Sequence, residues 1–338
     1  MLVEMMGRSS QLSFITTLDY PDHAEFSRRG QIVSPTNRNT IIDKLRFVAE
    51  VLEGAKSTRA VILDSTNKLD VLISICFGLW SKARRPAVLM VADMWHKDKG
   101  ISGEFQKAIL RLADRGIFRY APLSREENLL FSSAWGIPQD KLRFLPYFYT
   151  FTEKDLSAPS PPEENFIFAG GNAHRDYISL IEAIEHLPEY QFVIASYLLD
   201  GKKLPPNVKA GQLSREEFIK SMRASRAVVV PIRKGLVRST GHQTYLNGML
   251  LGKPTIITDT LGVNEYTCNG ENAILVDGSP ESYVRAIQWV MDPENSTQVA
   301  EMCKTAQETV LREFSFDRHC NRLLEILDEA VDEYYMNT

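Results

Sequence analysis

Cysteine is scarce in this chain, with four in 338 residues at positions 76, 268, 303 and 320, none at a paired spacing. That distribution excludes a zinc ribbon or a disulfide framework and suits a reducing compartment. Long apolar runs are missing as well. The best stretches, 71–80 and 87–92, fall far short of the ~20 residues a bilayer-spanning helix needs. The amino terminus, MLVEMMGRSS, carries Glu4 and no apolar leader core, so no signal peptide is expected. There is no Gly-x-Ser-x-Gly, no P-loop, no His-Glu-x-x-His and no Cys-His-Asp set. Those gaps set aside serine-elbow hydrolases, P-loop nucleotide hydrolases, zincins and thiol proteases. Charge of one sign is not dominant either: 39 Lys and Arg meet 43 Asp and Glu, a net charge of −4.

What the sequence holds is a globular balance, 44% hydrophobic and 24% charged, at a length suited to two domains. The charge is uneven along it. Residues 1–150 carry 21 basic against 16 acidic side chains, and residues 151–338 carry 18 against 27. A mildly basic first half suits an anionic membrane surface or an acidic acceptor, although differences of this size are common between domains.

Short apolar runs alternate with longer amphipathic ones. Strands are expected over 12–17, 60–63, 87–92 and 118–123, and helices over 39–52, 68–82 and 104–116. In the last of these, Lys107, Arg111 and Arg115 stand four apart beside Phe105, Ile109 and Leu112. That pattern fits a basic membrane-facing helix or an ordinary amphipathic helix with a solvated basic face. The proline-rich stretch 157–162 reads as part of an inter-domain linker over 151–162. Alternation then restarts, with strands over 165–169, 191–195, 227–231 and 255–258 and helices over 177–186, 215–224, 243–251, 282–291, 297–314 and 317–334. Continuous apolar strands between helices imply parallel sheets covered on both faces. The expected fold class is α/β: two doubly wound domains, 1–150 and 163–316, facing each other across a cleft, with 317–338 a final helix packing back on their junction. Ligands of such sheets bind beyond the carboxyl ends of the strands.

The most informative segment is 230–259. It reads as a strand, a basic loop with Arg233, Lys234 and Arg238, a helix opening at Thr240-Gly241, the stop Gly252-Lys253-Pro254 and another strand. Free amides at the helix start make an anion site, with Ser239 or Thr240 as a candidate cap and Gly241 admitting a phosphate to the backbone. Upstream, Phe168-Ala-Gly-Gly-Asn-Ala-His-Arg175 is a glycine-then-basic turn, and Val208-Lys-Ala-Gly-Gln-Leu213 is a strand ending in glycine. Downstream follow Gly262-Val-Asn-Glu265 and the run 269–276.

Taken in order over 165–290, these segments resemble the nucleotide-binding domain of retaining, metal-independent GT-B glycosyltransferases of family four. In 1–150 the resemblance lies in pattern alone, chiefly over 124–146. It implies a nucleotide-diphospho-sugar donor held by Gly170, Gly171, Asn172, Arg175, Gln212, Leu213, Arg238, Ser239, Thr240, Gly241, His242, Gln243, Asn247 and Glu265. Arg175 would neutralise the diphosphate as the nucleotide departs. Asp19, Asp64, Asp93 and His96, at strand ends of the first half, would form the acceptor side, with His96 and Arg175 in catalytic roles. No cofactor and no metal are implied, since no Asp-x-Asp pair sits at a candidate donor loop. The acceptor would be a glycan, a lipid-linked molecule or a small molecule, as in polysaccharide biosynthesis. No nucleic-acid partner is expected, and the expected location is the cytoplasm, with peripheral contact at the inner membrane face through the first domain.

Three positions and one loop depart from that family. Ser239 and Asn247 stand where it has two glutamates, Gly171 stands where it has a phosphate-binding arginine, and Thr17-Leu-Asp-Tyr-Pro-Asp-His-Ala24 replaces its double-glycine loop. The departures admit two other readings: a nucleotide-sugar-binding protein without turnover, and an epimerase or hydrolase acting on the donor alone.

Overall fold

The computed structural model describes residues 14–36, 38–92, 100–157 and 162–336. The chain divides into two compact units, 1–146 with 317–338, and 147–316. The change of unit falls at 146/147, not within 151–162. Residues beyond it are stitched into the second unit, as when the Tyr147 amide donates to the Tyr266 hydroxyl at 2.9 Å.

In the first unit the described elements are β1 (Phe14–Thr16), α1 (Ala24–Arg29), β2 (Gly30–Ile32), α2 (Ile41–Ala55), β3 (Ala60–Asp64), α3 (Lys68–Gly78), β4 (Ala87–Ala92), α4 (Gly100–Asp114), β5 (Arg119–Pro122) and α5 (Arg125–Trp135). The strands form one parallel sheet in the order β2-β1-β3-β4-β5. Side chains alternate across a strand. Phe14, Ala60, Ile62 and Leu89 therefore pack on one face, beneath Leu323, Leu327 and Val331 of the final helix. Val61, Leu63, Val88 and Met90, fully buried, point the other way. Helices α2, α3 and α4 stand side by side in one layer.

Continuing in the second unit are α6 (Glu153–Ser157), β6 (Phe166–Gly170), α7 (Tyr177–Glu185), β7 (Gln191–Ala195), β8 (Val208–Gly211), α8 (Arg215–Ala224), β9 (Ala227–Val230), α9 (His242–Leu250), β10 (Thr255–Thr258), β11 (Ile274–Val276), α10 (Pro280–Met291) and α11 (Ser296–Glu313). Its parallel sheet runs β11-β10-β9-β6-β7-β8, with a separate apolar core on each face. The last helix, α12 (Phe316–Met336), belongs with the first unit, tied there by the Arg29–Asp328 and Arg119–Glu333 ion pairs.

Several sequence expectations shift. The expected helix over 68–82 ends at Gly78, that over 104–116 begins at Gly100, and α1, β2, α5 and β11 are elements the apolar pattern did not disclose. Helix α4 turns its face of smaller residues inward. It buries Gly103, Leu110 and Ala113 and leaves Phe105 66% and Leu112 44% exposed. Just beyond its end the backbone comes very close to α3: a methyl group at Gly116 would lie 2.9 Å from the Gly78 amide nitrogen and nearer still to the Ser74 carbonyl. We expect Gly116→Ala to destabilise the first unit by about 1–3 kcal/mol, read as a lowered urea midpoint, with the second unit unaffected.

Candidate functional site

Beyond the carboxyl ends of β6 and β9, two loops are zipped together by the backbone. The Asp176 amide donates to Pro231 O at 2.8 Å and the Arg233 amide to His174 O at 2.9 Å. This pairing sets Arg175 against Ile232 and carries its side chain onto the first turn of α9. His174 accommodates the tight turn at φ 56°.

Arg175 is the centre of the arrangement. Its Nε donates to Gly170 O at 3.1 Å, Nη1 to Ala173 O at 2.9 Å and Nη2 to Thr244 Oγ1 at 2.9 Å. The residue is 6% exposed, and burial depresses its pKa below the usual arginine range. All three acceptors are neutral, and no carboxylate lies within ion-pairing distance among the described residues. A desolvated charge held only by dipoles leaves an unbalanced positive field. Gly171, at φ +106°, makes room for it: a Cβ there would stand 2.7 Å from Nη2. An arginine at 171, as in the resembled family, does not fit beside Arg175 in this loop.

The same turn presents the start of α9. Its N-cap is Gly241 at φ +87°, with no side-chain cap. Ser239 and Thr240, the caps expected from sequence, are 2% and 8% exposed, and neither side chain caps the helix. A left-handed glycine at the cap ends the loop by backbone geometry instead. The amides of His242 and Gln243 make no hydrogen bond among the described residues, so the helix offers unspent donors and its positive dipole end beside Arg175. Arg233 and Lys234 are exposed in the same loop and Arg238 is half-buried.

His242 lies just inside. Burial, with Arg238 and Arg175 nearby, pushes its pKa down to about 3, so the ring is neutral at physiological pH. It packs against Tyr266 at 4.7 Å, Tyr147 at 5.5 Å and Tyr245 at 5.6 Å, and its Nε2 has no hydrogen-bond partner. A neutral imidazole can offer one hydrogen bond to a ligand but cannot supply charge.

Asn247, at the position of the resembled family's second glutamate, is tied to a neighbouring segment. It is 1% exposed; its Oδ1 accepts from the Thr150 amide at 2.8 Å and its Nδ2 donates to Thr150 Oγ1 at 3.0 Å. Each amide atom thus has one partner within the unit. Exposed Gln243 joins the same hydroxyl at 3.0 Å. Thr150, with Tyr147 and Tyr266, is a site component that sequence reasoning missed, because its partners lie about a hundred residues away.

The remaining positions are spread around this centre. Asn172 Oδ1 accepts from Ser196 Oγ at 2.8 Å and the Tyr197 amide at 3.2 Å, tying the glycine turn to the end of β7. Gln212 is exposed just past β8, and Leu213 packs on the core. Glu265 ends a short 3-10 turn opened by Gly262 at φ +77° and is half-buried.

On the first unit, Asp19 is exposed, and Asp64 is half-buried with Oδ1 accepting the Thr66 amide at 2.9 Å. Asp93 and His96 lie outside the described residues. A carboxyl that sequence reasoning passed over, Asp70, is fully buried at the same end of the sheet.

Residues 153–309 match the sequence pattern of the family described as glycosyl transferases group 1. No curated protein matches the chain in sequence. Among solved structures, a glycosyltransferase from Rickettsia africae is similar at a TM-score of 0.63 and 14% identity, over 98% of this chain and 92% of that one. HepE of Anabaena, solved in complex with UDP, is similar at a TM-score of 0.64 and 14% identity, over 94% of this chain and all of its own. Sucrose-phosphate synthase of Thermosynechococcus elongatus is similar at a TM-score of 0.65 and 13% identity, over 89% of this chain and 83% of its own. The two parallel-sheet domains and these likenesses establish the GT-B fold.

Proposed function

We propose that this chain is a glycosyltransferase that takes a sugar from a nucleoside diphosphate donor and passes it to an acceptor with retention of anomeric configuration. The observation that carries this reading is the buried, unbalanced Arg175 beside the unspent amides of His242 and Gln243. Together they form a preorganised cationic site for a diphosphate. Charge builds on the diphosphate as the glycosidic bond breaks, so donors already in place favour its departure. Gly171 and Gly241 supply the close backbone approach. The family match over 153–309 covers this half, and HepE is crystallised with UDP and with UDP-glucose, which makes uracil the first base to test. The acceptor would be a glycan, a lipid-linked or a small molecule held by the first unit, with Asp19, Asp64, Asp93 and His96 as candidate contacts.

A second reading has one observation in its favour. Neither Ser239 nor Asn247 offers a carboxylate, and Asn247 is hydrogen-bonded to Thr150. That suits a protein that holds the donor without transferring its sugar, or acts on the donor alone. Calorimetric titration with UDP, GDP, ADP and their glucose conjugates, with and without magnesium, tests the shared part. We expect one diphosphate to bind whether or not magnesium is present; no binding by any of them removes both readings. Product analysis then separates them: glycosylated acceptor supports transfer, unchanged donor a binding protein, and altered donor without acceptor a donor-only enzyme.

A further inference from the structure

The outer surface of the first unit's helical layer is apolar where a solvated layer is polar. On α4, Ile101 is 92% and Phe105 66% exposed, and with Leu112 they share one side of the helix, opposite the buried Gly103, Leu110 and Ala113. On α2, Ile41, Ile42 and Leu45 are all more than half exposed, while Phe47, Val51 and Ala55 face the core. Between these helices α3 adds the exposed Leu72. In the second unit, by contrast, Ile178, Tyr197 and Leu311 are the large apolar side chains left exposed among the described residues.

The charges on this layer are lopsided in a second, independent way. Its acids are engaged: Asp43 in the Thr40 capping box, Glu50 with Arg38, Glu53 with Lys56, Asp114 with Lys141, and Glu104 as well. Lys44 and Arg46 of α2, Lys68 of α3, and Lys107 and Arg111 of α4 have no carboxylate within ion-pairing distance among the described residues. Exposed apolar side chains are thus interleaved with uncompensated cations.

We propose that this face docks on an anionic lipid bilayer. Ile101, Phe105 and the α2 isoleucines enter the boundary between headgroups and acyl chains, and the unpaired lysines and arginines meet anionic headgroups. No helix among the described residues is long and apolar enough to cross a membrane, so the contact is interfacial. A second copy of the chain fits this face less well, since a two-fold contact sets its cations against themselves. The proposal concerns the first unit and does not depend on the donor reading, which concerns the second.

The test is co-sedimentation of the whole chain with vesicles of phosphatidylcholine alone and of phosphatidylcholine mixed with phosphatidylglycerol, at low and high salt. We expect binding to the anionic vesicles that weakens with salt. Each basic residue near such a surface is worth about 1 kcal/mol, so Lys44→Glu and Arg111→Glu should each lower partitioning at least about fivefold. Ile101→Ser with Phe105→Ser should lower it further at constant salt dependence. Circular dichroism and urea unfolding check that these variants stay folded. The proposal is overturned by no binding to either vesicle, by equal binding to both, or by folded variants that bind as well as the parent. A dimer in sedimentation velocity that Phe105→Ser dissociates would also overturn it, by naming a second copy as the occupant.

Discussion

Replacing Arg175 by alanine should lower nucleoside diphosphate affinity about thirtyfold or more, the largest loss expected from any single change in the second unit. Removing one member of a desolvated charge pair costs roughly 2–5 kcal/mol, and in the proposed donor site the diphosphate would be the other member. The magnitude follows from the surroundings. Gly170 O, Ala173 O and Thr244 Oγ1 orient the guanidinium without neutralising it, so its field is available to an incoming anion. Arg175→Lys keeps a charge but cannot span three acceptors with one ammonium, and should fall between parent and alanine.

Gly171→Ala tests the same geometry from the other side. It places a methyl group 2.7 Å from Nη2 at a φ of +106°, which displaces the guanidinium while leaving its charge in the molecule. Both substitutions should weaken binding in calorimetry while near-ultraviolet circular dichroism stays close to that of the parent. If folded Arg175→Ala binds UDP as the parent does, Arg175 is not part of the site. If Gly171→Ala alone is silent, the close approach of this glycine does not hold the arginine in place.

How far this site could be read from sequence depended on whether its parts are local. The glycine turn and the start of α9 are each local, and their order along the chain was visible. What brings them together is the backbone zipper between 174–176 and 231–233, which no periodicity encodes. The Asn247–Thr150 contact is hidden for a related reason: the segment after Pro146 crosses α9 about a hundred residues away in sequence. At the level of elements, strands β4, β7 and β10 were legible at their full lengths because they are continuous apolar runs. Helix α8 was legible too, opened by a Ser214–Glu217 capping box. Helix α5 carried readable signals as well, Ser124 capping its start and Gly136 its end at φ +73°. Its apolar residues make only a weak stripe, so periodicity alone does not disclose it. For α4 the periodicity predicted a helix with two distinct faces but not which one turns inward. The close approach of Gly116 to α3 is the kind of contact that decides it, and the smaller face is the one buried.

Asp70→Asn should abolish a loss of stability that the parent shows as pH rises from about 4 to about 7. Asp70 sits fully buried in the first turn of α3, at the carboxyl end of β1 and β3. Its Oδ2 accepts from the Thr17 hydroxyl and from the Asp64 amide at 2.7 Å, while its Oδ1 has no partner. Burial pushes its pKa from 3.8 up to about 7, against the opposing pull of those two hydrogen bonds. The folded state therefore keeps a proton that the unfolded chain gives up near pH 4. Its stabilising contribution is complete below that pH and fades as pH climbs through the folded value. Three pKa units correspond to roughly 4 kcal/mol, an upper figure because water reaching the carboxyl would reduce it. Asparagine keeps an acceptor for Thr17 and Asp64 and removes the titration. Urea unfolding followed through Trp80 and Trp135 should thus show the variant more stable than the parent above pH 7 and nearly flat below. Parallel pH profiles for the two proteins would mean that Asp70 ionises as readily folded as unfolded. The loop 17–24, which stands where the resembled family has two glycines, is tied through Thr17 to this carboxyl. Because the loss is one of global stability, amide exchange through unfolding should be faster in the parent than in the variant at pH 8, over this loop as elsewhere in the first unit.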